Sequence, residues 1–492
     1  MSTDNQSATT TENEAATESF LDRAISATSK TSPDITKDLL TSLTQQAMSG
    51  TVTWNKNLTN TVETALATLD EKMSTQLTQV FHHSSFQKLE GSWLGLQKLV
   101  RNSELGAQLK IRVLDINTEE LLDQFESAPA IDRSTFFNIV YQKEFGTAGG
   151  QPYGVLLGDY TFDHSDESVA LLRYMGTVAA SAHAPFIAAV NPNLFSFDSF
   201  QQFNEGRPVA AGFDSPQYAS WNAFRNSDDA RYVTLTMPRI LSRLPYGADT
   251  SPVKAFAYEE FPAGADGQRR PSSEDDFTWS NAAYEMGLLM TNAFSEYGWC
   301  TAIRGLENGG QVENLPNYTY VSPEGDRIQQ CPCEVNLTDE REKELSDLGL
   351  LPLVHYKNSN FGVFMGGQTL NEPKTYVDPD ATSNAAISAR LPYIMASSRI
   401  AHYLKVIGRD KLGSSMEADD LQNYLTTWIS PYVNANAIGN DSRAKTPLCE
   451  AKVSVVEQAG RPGCYSAVVH LRPWLQLEEL TTSLRMVANI PS

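Results

Sequence analysis

Residues 153–191 read YGVLLGDYTFDHSDESVALLRYMGTVAASAHAPFIAAVN, and the order of patterns in this stretch decides the fold. A mostly apolar segment comes first. An amphipathic helical pattern follows, with Ser165 as its predicted N-cap, and a second apolar segment, PFIAAVN, closes the stretch. The order strand, helix, strand, in which the strands are continuously apolar, is typical of a parallel sheet that is buried on both faces. We therefore expect a mixed α/β protein whose central α/β domain spans residues 109–380.

The rest of this central domain carries further strand and helix patterns. The segment LKIRVLDI (109–116) alternates apolar and polar residues and predicts a strand, which helical patterns follow at 118–126 and 134–145. Three more predictions lie further along: a strand in KAFAYEE (254–260), a helix in WSNAAYEMGLLMTNAFSEYGW (279–299) that ends at Gly298, and a hairpin in VHYKNSNFGVFMGG (354–367).

Residues 31–108 are predicted to be a largely helical N-terminal region. Apolar residues recur at intervals of three and four over 58–80, and the spacing continues through FHHSSFQKLEGSWLGLQKLV (81–100). We expect Glu90, which lies near the apolar seam of this second segment, to be partly buried and paired. The seam itself should pack in or near the core; its residues are Phe86, Leu89, Trp93, Leu96 and Val100.

The C-terminal region, 381–492, begins with helical patterns in RLPYIMASSRIAHYLKVIG and SMEADDLQNYLTTWIS. CEAKVSVVEQ, a turn at AGRPG and CYSAVVHLRPW then predict an antiparallel hairpin, and LQLEELTTSLRMVAN reads as a third extended piece. A hairpin at a chain end has an open edge, which either joins the main sheet or pairs with another chain. Its alternating residues are Val453, Val455, Tyr465, Ala467 and Val469.

The N-terminal 30 residues are predicted to be a flexible tail that contains one short helix. The first 17 residues are polar and should be disordered, whereas Phe20, Leu21, Ala24 and Ile25 form an apolar stripe at helical spacing. A single short stripe cannot bury itself. It either docks on its own domain or folds into a groove of another protein.

The composition disfavours nucleic acid and membranes as partners. The chain has 492 residues and a net charge of −21, which repels phosphate backbones and anionic lipids and attracts basic proteins. No apolar run approaches eighteen residues and the N-terminus does not read as a secretory signal, so we expect a cytoplasmic protein. The five cysteines suit a reducing compartment; Cys331-Pro-Cys333 is weak metal evidence, and we expect ordinary structural cysteines. We expect no cofactor and no metal.

The usual catalytic motifs are absent from the sequence. It contains no Walker A motif, no G-x-G-x-x-G after a strand, no G-x-S-x-G elbow and no H-E-x-x-H. His82 and His83 are adjacent and would diverge on a helix, so no catalytic role is assigned to them. The loop from Asp159 to His164 follows a predicted strand and keeps a hydrolase-like enzyme open as an alternative. A generic cytosolic assembly scaffold is the other alternative.

The segment FHHSSFQKLEGSWLGLQKLV resembles the signature of the large subunit of the type VI secretion contractile sheath, the TssC/VipB family. The similarity continues through VLLGDYTFDHS, FIAAVNPNLF, RLPYIMASSRIAHYLKVIG and the terminal hairpin. Members of the family usually carry an arginine where Leu94 stands, so a contact made by that arginine cannot be assumed here. The resemblance implies a contractile tail-sheath-like fold and a structural protein rather than an enzyme.

The resemblance also implies partners. Large subunits of this family pair with a small subunit, TssB or VipA, and polymerise helically around an inner tube of Hcp on a baseplate. The sheath contracts to drive the tube into a target cell, and the AAA+ ATPase ClpV then disassembles it.

Three groups of residues acquire roles from the resemblance. The ClpV-binding helix would comprise Glu18, Phe20, Leu21, Arg23, Ala24 and Ile25. The hairpin 451–471 would exchange strands with neighbouring subunits. The acidic start of SMEADDLQNY would contact the inner tube through Glu417, Asp419 and Asp420, although a solvated helix face is the simpler reading.

Overall fold

The structure, a computed structural model, describes residues 58–474 apart from 262, 265, 459 and 461–463, together with position 476 and the isolated positions 38, 41, 42 and 45. The chain divides into two compact units, Met1–Phe81 with Pro245–Gly264, and His82–Leu244 with Ala265–Ser492. The predicted N-terminal tail, most of residues 31–57 of the predicted helical region and the last extended piece lie outside the described residues.

The elements are numbered in chain order. The strands are β1 (Leu156–Phe162), β2 (Phe186–Val190), β3 (Val233–Met237), β4 (Ile240–Leu241), β5 (Trp279–Ser280), β6 (Gln311–Val312), β7 (Thr319–Val321), β8 (Arg327–Gln329), β9 (Leu351–His355), β10 (Gly362–Phe364), β11 (Leu448–Glu457) and β12 (Tyr465–Pro473). The helices are α1 (Leu58–Phe81), α2 (Ser84–Asn102), α3 (Thr118–Glu126), α4 (Thr135–Phe137), α5 (Asp166–Ala182), α6 (Ala219–Arg225), α7 (Ala283–Tyr297), α8 (Asp339–Asp347), α9 (Pro379–Ser388), α10 (Leu391–Asp410), α11 (Ala418–Ile429) and α12 (Asn440–Lys445). Helix α4 continues as a π-helix over Asn138–Phe145.

The first unit is built on α1, which packs against residues 245–264 through its less apolar side. Thr78 Oγ1 lies 3.2 Å from the Tyr258 hydroxyl and donates to the carbonyl of Glu260 at 3.0 Å. The predicted strand at 254–260 is wrong. Glu260 instead exchanges hydrogen bonds with Tyr246, donating from its amide and accepting at its carboxylate, so a side chain takes the place of a strand ladder.

The second unit contains a six-stranded sheet, in the order β1-β2-β3-β9-β10-β6 within the described residues. Strands β1, β2, β3 and β9 run parallel, and β10 and β6 complete the sheet in antiparallel register. Phe186 and Ala188 of β2 belong to one core cluster, whereas Ile187 between them belongs to another. Because successive strand residues face opposite sides, the sheet is buried on both faces, as the strand–helix–strand pattern predicts.

Local sequence signals place the elements around this sheet. Ser165 caps α5 by accepting a hydrogen bond from the Ser168 amide, and α7 ends at Gly298, whose φ of 77° needs a glycine. The structure confirms both features. It also confirms the helices predicted at 118–126 and 134–145 and the β9–β10 hairpin.

Helix α2 exists as predicted but buries a different face. The buried residues are Gly91, Gly95 and Leu99, whereas Leu89 and Trp93 of the predicted seam are 55% and 62% exposed. A Cβ at position 91 would collide with the Trp279 carbonyl of β5, and one at position 95 with a tyrosine ring of α7. The two glycines therefore let the α2 backbone approach its neighbours directly.

The environment of Glu90 in α2 follows the prediction. Its carboxylate accepts from Arg243 Nε at 2.7 Å and from Thr278 Oγ1 at 2.7 Å, and both charged side chains are mostly buried. These two hydrogen bonds of Glu90 fix α2 to the segment that follows β4 and to the residue that precedes β5.

The strand predicted at 109–116 is wrong. The segment has no strand partner among the described residues, and Val113 and Leu114 are exposed. Side-chain contacts hold the segment instead: Arg112 pairs with Glu144, Lys110 donates to Gln151 at 2.8 Å, and Ile116 packs against the core. The alternating pattern is present, but the described part of this chain contains no second strand that pairs with the segment.

Candidate assembly surfaces

The C-terminal hairpin forms a sheet of its own. Strands β11 and β12 pair with each other in antiparallel register, with Val453 opposite Val469 and Val455 opposite Ala467, and neither joins the six-stranded sheet within the described ranges. Of the two outcomes open to a terminal hairpin, joining the main sheet is thus excluded for the described residues.

One face of the hairpin is buried on α11. Val453 and Val455 are less than 10% exposed and share a core cluster with Leu425 and Ile429 of α11. The hydrophobic contact anchors the hairpin to its own unit. The opposite face is open, since Val456 and Val468 are exposed.

The outer edge of β11 is occupied at both ends. Asn434 donates its amide to the Leu448 carbonyl at 3.0 Å, and the Val455 amide donates to the side chain of Gln422 in α11 at 3.1 Å. Another strand could not pair along β11 without displacing these contacts.

The outer edge of β12 is free of such contacts in the described structure. The Gln458 amide donates to the Cys464 carbonyl at 2.8 Å, which marks that pair as hydrogen-bonded. In an antiparallel ladder the hydrogen-bonded pairs alternate with pairs whose backbone groups point outward. The outward-pointing backbone groups of β12 consequently belong to Tyr465, Ala467, Val469 and Leu471.

The predicted strand-exchange residues therefore divide into two kinds. Val453 and Val455 serve the hydrophobic face on α11, whereas the backbones of Tyr465, Ala467 and Val469 line the open edge. The alternating pattern located all five residues. It could not separate these tasks, because backbone direction depends on the hydrogen-bonding phase of the ladder.

The predicted tube-contact residues surround the start of α11. Glu417 and Asp420 form a capping box, in which the Glu417 side chain accepts from the backbone at Asp420 and the Asp420 side chain from the Glu417 amide. Glu417, Asp419 and Asp420 are all exposed. They stabilise the positive end of the helix dipole and still present an acidic surface. The predicted ClpV-binding residues, by contrast, lie outside the described residues.

Two exposed apolar helix faces are surfaces that sequence reasoning missed. On α1, the exposed apolar residues are Leu66, Leu69, Met73 and Val80, a heptad-like spacing. On α2, Leu89, Trp93 and Val100 are exposed. Apolar periodicity predicted both helices, but it did not reveal that these faces point outward.

The polar residues of the Asp159–His164 loop make local contacts. Asp163 accepts hydrogen bonds from both the amide and the hydroxyl of Ser165, the helix cap. The His164 ring lies tilted against that of Tyr218 with centroids 4.7 Å apart, and its buried Nδ1 has no hydrogen-bond partner among the described residues. Asp159 lies within β1 and faces Tyr284; burial first, and then this carboxylate, raise the pKa of Tyr284. The described residues also contain no cluster of three or more ligands that could hold a metal ion.

Comparison with known proteins assigns the family. Residues 63–371 match the VipB family, described as EvpB/VC_A0108, tail sheath N-terminal domain, and residues 380–490 match VipB_2, the tail sheath gpW/gp25-like domain. The chain is 42% identical, over 100% of its length and 99% of the relative, to the "Type VI secretion system sheath protein TssC1" of Pseudomonas aeruginosa PAO1.

Two solved structures show a weaker likeness. A PVC sheath complex of an extracellular contractile injection system, in the contracted state, is 8% identical, with 64% of this chain and 68% of that one covered and a TM-score of 0.35. A chain of the anti-feeding prophage baseplate is 11% identical, with 81% and 87% covered and a TM-score of 0.38.

Every helix within the described ranges is too short or too polar to span a bilayer. Two family domains together match most of the chain, and the TssC1 relative matches it end to end. The chain therefore belongs to the VipB/EvpB family of tail sheath proteins and is a structural subunit of a type VI secretion sheath.

Proposed function

We propose that this chain is the large subunit that pairs with a small sheath subunit, TssB or VipA, and polymerises in the cytoplasm around an Hcp inner tube on a baseplate. The sheath contracts to propel the tube into a target cell, and ClpV then disassembles it. The chain acts without enzymatic activity, cofactor or metal. The domain boundaries given above, at 30, 108 and 380, belong to the same proposal.

The observation that carries this proposal is the open edge of β12. Its outward backbone groups belong to Tyr465, Ala467, Val469 and Leu471, and they can complete a ladder with a strand from a neighbouring subunit. Backbone hydrogen bonds in such a shared sheet do not depend on side-chain shape, so they can persist while the linked subunits move as rigid bodies. The contact of Val453 and Val455 with α11 supports this role, because it ties the shared sheet firmly to one subunit.

Pairing with a small subunit is supported by the apolar surfaces that the chain leaves uncovered. Exposed apolar residues along one helix face are typical of interfaces rather than of monomer surfaces. The segment 109–116 alternates like a strand and has no ladder within the described residues. We propose that small-subunit helices cover the exposed faces of α1 and α2, and that a small-subunit strand pairs with residues 109–116.

Contact with the inner tube rests on the exposed acids at the start of α11 and on the net charge of −21. Asp419→Lys with Asp420→Lys should weaken binding to the tube, because the charge complementarity is reversed. The matched control is Asp380→Lys, a first-turn acid of α9. Unchanged tube binding and sheath assembly in the double variant would exclude this contact.

Recognition by ClpV rests on the sequence pattern of the tail helix. Leu21→Asp puts a charge into the apolar stripe, so we expect loss of ClpV binding in a pull-down while tubules still form. Ser26→Asp in the same segment adds the same charge outside the predicted contact residues and should bind normally. If Leu21→Asp captures ClpV as well as the unaltered chain does, the assignment fails.

Electron microscopy of the chain coexpressed with its small partner tests the open-edge role. Ala467→Pro removes one outward amide donor from β12 and leaves the inward ladder to β11 intact. We expect soluble heterodimers but no tubules. Ala467→Gly perturbs the same strand while keeping the amide, and it should assemble. Tubules as abundant with the proline as with the glycine would refute the role of this edge.

A further inference from the structure

Two cysteines and a histidine form a cluster that the assembly surfaces leave unused. Cys331 and Cys333 flank a single proline shortly after β8, and His355 ends β9. The Cys331 thiol lies close enough to the Cys333 thiol and to the His355 imidazole for both groups to shift its pKa. The sequence alone suggested structural cysteines, because His355 is more than twenty residues away along the chain.

The backbone holds the two thiols in place. The carbonyl of Pro332 accepts from the Leu241 amide at 2.8 Å, and the Glu334 amide donates to the Arg239 carbonyl at 3.0 Å. Cys333 itself bridges to Ile240 in β4. The segment that carries both thiols is therefore fixed on either side of Cys333.

The burial of the three groups differs in a way that assigns them separate tasks. Cys331 is partly exposed and can meet a small solute, whereas Cys333 is completely buried directly behind it. His355 Nε2 lies 3.0 Å from the Ser359 carbonyl, which can only accept, so Nε2 carries a proton and donates it. The other ring nitrogen, Nδ1, remains available as a base.

We propose that Cys331 and Cys333 are a peroxide-sensitive dithiol, in which Cys331 attacks, Cys333 resolves and His355 serves as the base. The Cys331 thiolate attacks one oxygen of hydrogen peroxide; the O–O bond breaks, a sulfenic acid forms and hydroxide leaves, taking up a proton to become water. The Cys333 sulfur then displaces the sulfenic hydroxyl as a second water and forms the S–S bond. The two thiols lose two electrons and two protons, and the peroxide is reduced to two waters.

The electrostatics agree with this division of roles. The hydrogen bond from Cys333 lowers the pKa of the Cys331 thiol, and His355 lowers it further against the effect of burial. The same bond with Cys331, together with burial, raises the pKa of the Cys333 thiol. Burial lowers the pKa of His355, but the contacts with Cys331 and the Ser359 carbonyl outweigh it and raise that pKa. A thiolate beside an imidazolium is the arrangement that makes a cysteine reactive.

Mass spectrometry of the full chain after brief exposure to hydrogen peroxide tests the proposal. Trypsin releases residues 328–341, which contain Cys331 and Cys333 and no other cysteine. We expect this peptide to lose two hydrogens, and a thiol reductant to restore its mass. Cys464 is the more exposed thiol and provides the internal comparison. In short alkylation with iodoacetamide at neutral pH, Cys331 should react about tenfold faster than Cys464 because more of it is thiolate.

Three variants separate the roles. Cys333→Ser should leave a sulfenic acid on Cys331 that dimedone labels. Cys331→Ser should abolish peroxide consumption at this site, and His355→Asn should slow the alkylation of Cys331 about tenfold. Cys449→Ser, a change at a distant partly exposed cysteine, should alter none of these readouts. An unchanged peptide 328–341 in the peroxide-treated unaltered chain, or faster alkylation of Cys464 than of Cys331, would overturn the proposal without any variant having to fold.

Discussion

Replacing Leu94 by arginine should supply a partner that a buried carboxylate in this chain lacks. Glu285 of α7 is 3% exposed; its Oε1 accepts from Lys98 Nζ at 2.6 Å, but its Oε2 has no hydrogen-bond partner among the described residues. Leu94 lies one helical turn before Lys98 on α2. Both line, together with Glu285, a groove of about 640 Å³ that has room for a longer side chain. A guanidinium at position 94 can reach the free oxygen from this groove.

The expected gain follows from opposing contributions. A hydrogen bond to a charged group stabilises by about 1.5–3 kcal/mol, and leaving a buried acceptor unsatisfied costs about 1–3 kcal/mol. Ordering the arginine costs up to about 2 kcal/mol, and the half-buried leucine loses part of its packing. The net change in stability of Leu94→Arg is therefore small, about 1 kcal/mol or less. The coupling to Glu285 should be larger, about 2 kcal/mol.

A double-mutant cycle measures this coupling. The four proteins are the unaltered chain, Leu94→Arg, Glu285→Gln and the double variant, each unfolded in urea and followed by tryptophan fluorescence. Leu89→Arg is the matched control, because it lies on the same helix but is exposed and does not line the groove. A coupling between positions 94 and 285 no larger than that between 89 and 285 would refute the argument.

Two further predictions concern stability. Gly91→Ala should destabilise the protein by about 1–3 kcal/mol, although alanine favours helices, because its Cβ meets the Trp279 carbonyl. Gly106→Ala is the control and should not destabilise, because its Cβ meets open space. Equal urea unfolding midpoints for the two variants would contradict this prediction. Burial lowers the pKa of His402 to about 4, so between about pH 6.5 and about pH 4 the unfolded chain binds a proton that the folded chain refuses. The free energy of unfolding should fall by about 3 kcal/mol as the pH falls through this window, and by less in His402→Gln. If the free energy of unfolding changes equally with pH in both proteins, His402 is not the cause.

The parts of the fold that the sequence predicted well are those decided by neighbouring residues. The α5 helix follows from Ser165 and a regular apolar pattern, and the end of α7 follows from a glycine. The two wrong strands failed for another reason. Residues 254–260 are held by a side-chain carboxylate, and residues 109–116 lack a strand partner in the described chain. Pairing is a property of two segments, so the pattern of one cannot establish it.

The face of α2 was mispredicted because apolar counting gives weight only to side chains. Gly91 and Gly95 contribute nothing to such a count, yet the backbone there lies directly against the Trp279 carbonyl and the Tyr284 ring. The apolar residues Leu89 and Trp93 then point away from the core. At the hairpin, sequence alternation predicted the two strands, but only the hydrogen-bonding phase shows that β12 rather than β11 has the open edge.

The failed predictions at 109–116 and on α2 have one feature in common: apolar residues that were expected to be buried are exposed. This feature bears on function. Val113 and Leu114 of the segment 109–116, and Leu89 and Trp93 of α2, belong to patterns of buried structure but are exposed in the described structure. By contrast, Asp163, in the loop that suggested an enzyme, is satisfied by hydrogen bonds from the amide and the hydroxyl of Ser165. A chain with exposed apolar patterns is organised for assembly, because burying those patterns releases free energy only when another subunit arrives. Amide hydrogen exchange at 109–116 should then slow on assembly, while exchange in β2, already buried, should not change. Equal protection at 109–116 before and after assembly would mean that the exposed patterns are incidental.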